Sequence, residues 1–292
     1  MQLKGRVIKG VGGLYFVSCG KKVYTCRARN KLHEKGLYVG DQCELNLFGQ
    51  RGVVEEVANR KNLLSRPTVA NVDKVIIVTA PLPVADFSLV DKIILNCLTE
   101  GIDFLVAVNK KELASDSFLQ KVKENYGILC DVCFISAKEK GAMEPLLALI
   151  DKGVFCLAGQ SGVGKTSLLN ALIESSLETG ELSKKIGRGK NTTRHAEIFM
   201  LKDAFIVDTP GFSLLDLEED KIASKDLHRY YPDFYAALEK EGVRCHFKDC
   251  THTTEPNCAI KELAQKGAVC GERLERYAEL YYNLVQREKE KY

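Results

Sequence analysis

At 292 residues the chain has material for two or three domains and a sizeable core. With 45% hydrophobic and 28% charged residues it reads as globular; it has no low-complexity tract and no apolar run near the roughly 20 residues that span a bilayer, which excludes disordered, fibrous and membrane-spanning classes. The net charge of +3 is unevenly placed: residues 1–66 hold 13 Lys/Arg against 5 Asp/Glu (net +8), residues 67–222 hold 17 against 22 (net −5), and residues 223–292 are balanced at 12 and 12.

Residues 1–20 carry Lys4, Arg6 and Lys9 but no long apolar region, so the reading is a chain without an export signal. Its 11 cysteines then suit a reducing cytoplasm better than a disulfide framework. Short strands are expected at Lys4–Lys9, Leu14–Ser18, Lys22–Arg29, Gly40–Phe48 and Gly52–Val57, with glycine turns between them. Five short strands in about 60 residues predict a small closed barrel of the OB type. The basic excess fits a polyanion such as single-stranded nucleic acid; it fits a solvated cationic face equally well. Tyr15, Phe16, Tyr24 and Phe48 are candidates for stacking on bases, against the simpler role of core residues.

Asn62–Pro67 reads as a linker. From Val72 the pattern switches to strands alternating with helices. Lys74–Thr79, Asp103–Val108 and Val132–Ile135 are apolar runs of the kind buried in parallel sheets. Between them, Phe87–Glu100 and Ser117–Tyr126 have helical spacing, and Met143–Ile150 follows as a third helix. This predicts a doubly wound α/β sheet whose motifs sit at strand C-terminal ends, where ligands bind. Two short strings stand there: Asn109-Lys110-Lys111-Glu112 and Ser136-Ala137-Lys138. Cys130-x-x-Cys133 has the spacing of a metal or redox pair, but its place at the start of a core strand favours burial.

The strand Gly153–Ala158 runs into Gly159, Gln160, Ser161, Gly162, Val163, Gly164, Lys165, Thr166 and Ser167, and a helix follows from Leu168. This is Gly-x-x-x-x-Gly-Lys-Ser/Thr in the context that phosphate cradles require. Glycines let the amides face an anion, and the helix N-terminus adds positive potential. Lys165 is the residue for the β- and γ-phosphates and the Thr166 hydroxyl the ligand for Mg2+. With such a loop present, the other strings gain meaning: a carboxylate at Glu112 can accept the N1 and N2 hydrogens of guanine, so the base is guanine.

Residues 180–196, rich in Gly, Lys and Arg, have the composition of a mobile segment. Ala204–Asp208 is a strand ending in an acid before Gly211, and Asp208 is placed to hold Mg2+, directly or through water, opposite Thr166. Cys245-x4-Cys250-x-His252-x5-Cys258 supplies three thiols and an imidazole, a donor set for tetrahedral zinc in a closed, structural site. His246 is a weaker alternative ligand. Glu272–Tyr292 has apolar helical spacing at Leu274, Tyr277, Tyr281, Leu284 and Val285.

In ordinary GTPases the phosphate loop precedes Asn-Lys-x-Asp and Ser-Ala-Lys. Here those strings, at 109–112 and 136–138, come first. The threonines Thr192 and Thr193 and the turn Asp208–Gly211 follow the loop. In this order, and in its Cys/His tail, the whole chain resembles the circularly permuted GTPases of small ribosomal subunit biogenesis, the ribosome small-subunit-dependent GTPase A family. Leu63-Leu-Ser-Arg-Pro and Ala70-Asn-Val-Asp look like that family's linker. The resemblance implies an OB-type RNA-binding barrel at 1–66, a permuted GTPase domain at 67–222 and a mainly helical zinc-binding domain at 223–292.

It also implies a cytoplasmic monomer that binds GTP and GDP with Mg2+, carries one structural zinc, and grips ribosomal RNA of the 30S subunit through its barrel. Its hydrolysis would be slow alone and accelerated by the 30S subunit. Lys165, Thr166, Asn191, Thr192, Thr193, Asp208 and Gly211 would form the catalytic set, with the γ-phosphate ordering the threonines and Gly211 and so reorienting the zinc domain. The sequence departs from the family at two places: Glu112 stands for the usual Asp, and Asn191 for a histidine, with His195 just downstream. Phe212 follows Gly211, where many GTPases outside the family carry a water-positioning glutamine. The competing readings are an RNA-binding switch with incidental hydrolysis and an ATP-dependent nucleic-acid enzyme, which Glu112 disfavours. Four protein ligands leave no open coordination position for a zinc hydrolase.

Overall fold

The computed structural model describes residues 2–20, 22–32, 36–49, 51–65, 68–139, 141–178, 197–201, 204–208 and 222–290. Five strands open the chain: β1 (Gln2–Val11), β2 (Leu14–Cys19), β3 (Lys22–Ala28), β4 (Gln42–Phe48) and β5 (Arg51–Val57). They close into a barrel of order β1-β2-β3-β5-β4. Closure depends on β1, which is long enough to pair with β2 along one half and β4 along the other, with a register shift between Val7 and Lys9. Such a shift bends and twists a strand, which is how a small sheet turns its corner. Val7, Val17, Leu45 and Val54 fill the interior. Of the four aromatic candidates, Tyr15 and Tyr24 pack on that interior, Phe16 packs on the core of the following sheet, and Phe48 is 68% exposed.

The stretch expected to be a linker forms a hairpin, β6 (Leu63–Ser65) with β7 (Thr68–Ala70). Two three-residue strands have little propensity of their own; this pair is held from outside. Ala70 N donates to Val39 O at 2.8 Å, and Asn62 exchanges side-chain bonds with Val72 N and O. Asp73 then accepts from Val154 N at 2.7 Å and from Lys61 at 2.5 Å, tying the hairpin to the sheet. On the barrel side Asp41, fully buried, takes two bonds from Arg60.

The second sheet has six strands in the order β10-β9-β8-β11-β13-β12. These are β8 (Lys74–Thr79), β9 (Asp103–Val108), β10 (Val132–Phe134), β11 (Gly153–Ala158), β12 (Glu197–Leu201) and β13 (Ala204–Asp208). All pairs are parallel except β12–β13. Helices cover both faces: α1 (Phe87–Thr99) and α2 (Asp116–Tyr126) one, α3 (Glu144–Leu147) and α4 (Lys165–Glu178) the other. That is why β8, β9 and β11 are apolar between their ends. The expected third helix shrinks to a single turn, and β12 is an edge strand that the sequence did not announce. The chain builds β8, β9 and β10 toward one edge, then returns to lay β11 beside β8. The order reverses there, and a doubly wound sheet offers a crevice at such a point.

Beyond residue 222 a 3-10 turn (Ser224–Tyr230) leads to α5 (Pro232–Glu241), α6 (Ala259–Gln265) and α7 (Gly271–Glu290). They share a core of Leu227, Phe234, Ile260, Leu263, Tyr277 and Leu284, to which Leu95 of α1 also contributes. The attachment is ionic as well. Asp91 of α1 is buried and accepts from Arg273 and, at 2.5 Å, from Arg276 of α7. Arg273 also donates to Asp233 of α5 at 2.9 Å, and Arg276 to Asn125 of α2 at 2.7 Å. Among the described residues, no helix is long and apolar enough to cross a membrane.

Candidate nucleotide site and metal centre

The phosphate-loop motif lies where the strand order reverses, between the end of β11 and the start of α4. Gly159 has φ +130° and Gly164 φ +94°, conformations that L side chains rarely adopt. Space forbids a side chain as firmly: a Cβ on Gly159 would sit 2.1 Å from Val78 O, and one on Gly164 2.5 Å from Asn109 Nδ2. Lys165 begins α4 and reaches back over the loop, donating to Gly159 O at 2.6 Å and Gln160 O at 2.9 Å. Ser161, Thr166 and Ser167 are exposed beside it, and Val163 is buried as the loop's anchor.

Asn109 ends β9 and is 2% exposed. Its Nδ2 donates to Val163 O at 2.9 Å and its Oδ1 accepts from Ala137 N at 3.1 Å. One amide thus braces the phosphate loop against the Ser136-Ala137-Lys138 turn, which the Ser136 hydroxyl closes by accepting from Lys138 N and Glu139 N at 3.3 Å each. Lys110, at φ +57°, turns its ammonium onto Gly162 O (2.8 Å) and Leu82 O (2.6 Å). Lys111, Glu112 and Lys138 are exposed on the same side of the sheet. So the three strings distant in sequence meet through Asn109 and Lys110. Asn109→Ala would strand the buried Val163 carbonyl, at about 1–3 kcal/mol, and the part-buried Ala137 amide, at less. The expected outcome is a lower Tm and GDP affinity weakened about tenfold or more, read by melting and by titration with fluorescent GDP.

Asp208 closes β13, whose Val207 pairs with Cys156 of β11, so the acid's backbone lies level with the end of the phosphate-loop strand. Its side chain and residues Asn191, Thr192, Thr193, His195, Gly211 and Phe212 lie outside the described residues. A neighbour the sequence did not flag is the stretch Pro81–Asp86: Pro83 lies beside Gly162 and Asp86 N donates to Gln160 Oε1 at 3.3 Å, while Leu82 O accepts from Lys110. A Pro-Leu-Pro run directly after a buried strand was its available signal.

Cys245, Cys250, His252 and Cys258 bring their ligand atoms within 4.8 Å of one another. His252 Nδ1 lies 3.6 Å from Cys245 Sγ and 3.4 Å from Cys258 Sγ, and those two sulfurs are 4.0 Å apart. Tetrahedral zinc with ordinary bond lengths sets about 3.6 Å for N···S and about 3.8 Å for S···S, so the group is compatible with a structural zinc ion. Burial pushes the Cys250 thiol up to about 12 and raises Cys258 too, while burial and then His228 hold His252 down at about 4. Thiols crowded out of water keep their protons, a demand that a divalent cation reverses. Around them Glu255 accepts from Thr251 and Thr253, and Tyr277 donates to Thr251 O at 2.6 Å, fixing the loop between two ligands. His246 is not in the group; its ring meets Phe247 edge-on. Cys130 and Cys133 are free thiols, each pushed up to about 12 by burial.

Residues 57–218 match the family model described as RsgA GTPase, and residues 4–53 the one described as RsgA N-terminal domain. A Clostridium beijerinckii protein named small ribosomal subunit biogenesis GTPase RsgA is 35% identical over 295 residues, spanning 99% of this chain and 100% of its own. The crystal structure of YjeQ from Thermotoga maritima is similar at a TM-score of 0.79 and 30% identity, covering 98% of this chain and 99% of that one. That of YloQ, described as a circularly permuted GTPase, is similar at 0.77 and 27%, covering 98% and 96%. A phosphate loop on the central strand, entered only after the base-side strands have been made, defines a circularly permuted P-loop GTPase. The chain belongs to the RsgA family of small ribosomal subunit biogenesis GTPases, and its activity is the hydrolysis of GTP.

Proposed function

We propose that the chain turns over GTP slowly alone and faster on the small ribosomal subunit, acting late in 30S maturation in the cytoplasm as a monomer. Three units divide the work: an RNA-binding barrel at 1–66, the GTPase at 67–222 and a zinc-bound tail at 223–292. The basic excess of the first unit and the exposed Phe48 at its β4–β5 turn support its contact with ribosomal RNA. The observation that carries the nucleotide reading is Asn109, which locks the phosphate loop to both base-side strings. In this reading the loop amides and Lys165 hold the β- and γ-phosphates and stabilise charge as the terminal bond breaks. Asn109, Lys110, Lys111, Glu112 and Ser136–Lys138 take the guanine. Thr166, with Asp208, would hold Mg2+, which would supply further charge neutralisation. Asn191, Thr192, Thr193 and Gly211 complete the catalytic set, and zinc closes the cysteine cluster.

Hydrolysis titrated with purified 30S subunits tests the proposal, with stimulation expected for the wild type and none for Lys165→Ala. Unstimulated turnover would leave only a nucleotide-controlled RNA-binding switch. The base contact has its own test. Glu112 is one methylene longer than the family's Asp, so Glu112→Asp should improve a bidentate grip on guanine by about 1 kcal/mol. The expected result is a several-fold wider preference for GDP over IDP, which lacks the 2-amino group, in competition binding.

A further inference from the structure

Helix α1 is held at its N-terminus and along the buried face it turns to the tail. Asp86 caps its N-terminus by accepting from Leu89 N at 2.9 Å, while Asp86 N donates to Gln160 in the phosphate loop. One turn further on, buried Asp91 takes both arginines of α7. Leu95, the next turn, is part of the tail's core. On α7 itself, Tyr277 stands one position beyond Arg276 and donates to Thr251 O, between Cys250 and His252 of the cysteine cluster.

A buried ion pair is a poor means of adding stability, since apolar side chains of the same volume often serve as well; its best-attested use is to fix register. Apolar faces tolerate sliding and rotation. A carboxylate shared by two guanidinium groups does not, and here each arginine is itself pinned, Arg273 to Asp233 and Arg276 to Asn125. The axial position of α1 is therefore tied to α7, and through its cap to the phosphate loop.

We propose that Arg273 and Arg276 are positioning residues for GTP hydrolysis: through Asp91 they set α1, and with it Pro81–Asp86, against the phosphate loop, so that the nucleotide site and the metal centre are coupled across α1. This rests on the reading of residues 159–167 as a guanine-nucleotide cradle. It assigns the coupling to a packed helix rather than to the chain between Asp208 and Ile222.

The test compares full-length, zinc-loaded wild type with Asp91→Asn and Arg276→Met. GDP affinity, kcat and KM for GTP, and amide hydrogen exchange across 245–258 are measured with and without GDP. In the wild type, GDP should slow exchange at 245–258 by at least about fivefold. In Arg276→Met that nucleotide-dependent difference should fall below about twofold, and because coupling is reciprocal GDP should bind at least about fivefold more weakly. A merely structural role would speed exchange equally with and without GDP and leave the difference intact. Should Asp91→Asn fail to fold, Arg276→Met decides, since it keeps the Asp91–Arg273 pair and most of the side-chain volume. A difference undiminished in the variants, or wild type that binds GDP with no change at 245–258, overturns the coupling alone. Wild type that binds no GDP removes the cradle and the coupling together.

Discussion

Lys165→Ala is expected to lower single-turnover GTP hydrolysis by at least about 10²–10³-fold, the scale of losing one preorganised donor to developing charge. The ammonium lies on two carbonyls of the loop, at 2.6 and 2.9 Å, and a terminal phosphate seated on the loop amides falls within its reach. The fold should tolerate the change. Lys165 is the first residue of α4 and only part-buried, and alanine is the best helix former. The two readouts are the rate with saturating GTP and the melting temperature. A variant that folds and keeps a tenth of the rate would remove Lys165 from the chemistry.

Removing the proposed zinc from the cysteine cluster should have the largest effect on stability. Structural zinc sites carry about 10–16 kcal/mol of apparent binding energy, comparable to the whole stability of a domain at about 5–15 kcal/mol. In the loop between α5 and α6, Cys245, Cys250, His252 and Cys258 are the inward residues; Glu255, Tyr277 and Lys261 brace only the stretch Thr251–Thr253. Chelation, or Cys258→Ser, is expected to open residues 242–258 to proteases, lower the Tm and loosen α6, whose N-cap is Cys258. The barrel's hydrogen bonds should stay protected from exchange. Protein that releases no zinc on denaturation, or whose protease pattern ignores chelator, would contradict this.

How much of this was legible in the sequence depended on how local each cause is. The barrel strands and β8, β9 and β11 were readable because burial on one face or two dictates alternation or continuity over five residues. The phosphate loop was readable because its glycines answer a backbone demand at Gly159 and Gly164. The cysteine cluster was readable because its four ligands fall within 14 consecutive residues. What stayed hidden is non-local. Leu63–Ala70 is a hairpin because distant residues hold it: Val39 pairs with Val69, and Asp73 ties it to Val154. Asp91 looks like a blemish on an apolar helix until Arg273, 182 positions later, folds onto it. Asn109 was assigned to the base alone, since nothing in its string says that its amide spans two loops.

The permuted strand order has a consequence for synthesis. As the chain leaves the ribosome that makes it, β8, β9 and β10 emerge as a set before β11 exists. The flank of β8 destined for the middle of the sheet is then an unpaired edge of Val75, Ile76, Ile77 and Val78. At about 5–20 residues per second, that edge waits several seconds for its partner. In the ordinary order the phosphate-loop strand comes first and the waiting flank is its own, until the counterpart of β8 is made. In this chain the nascent half-sheet stays open on that flank until β11, the strand that leads into the nucleotide loop, has been translated.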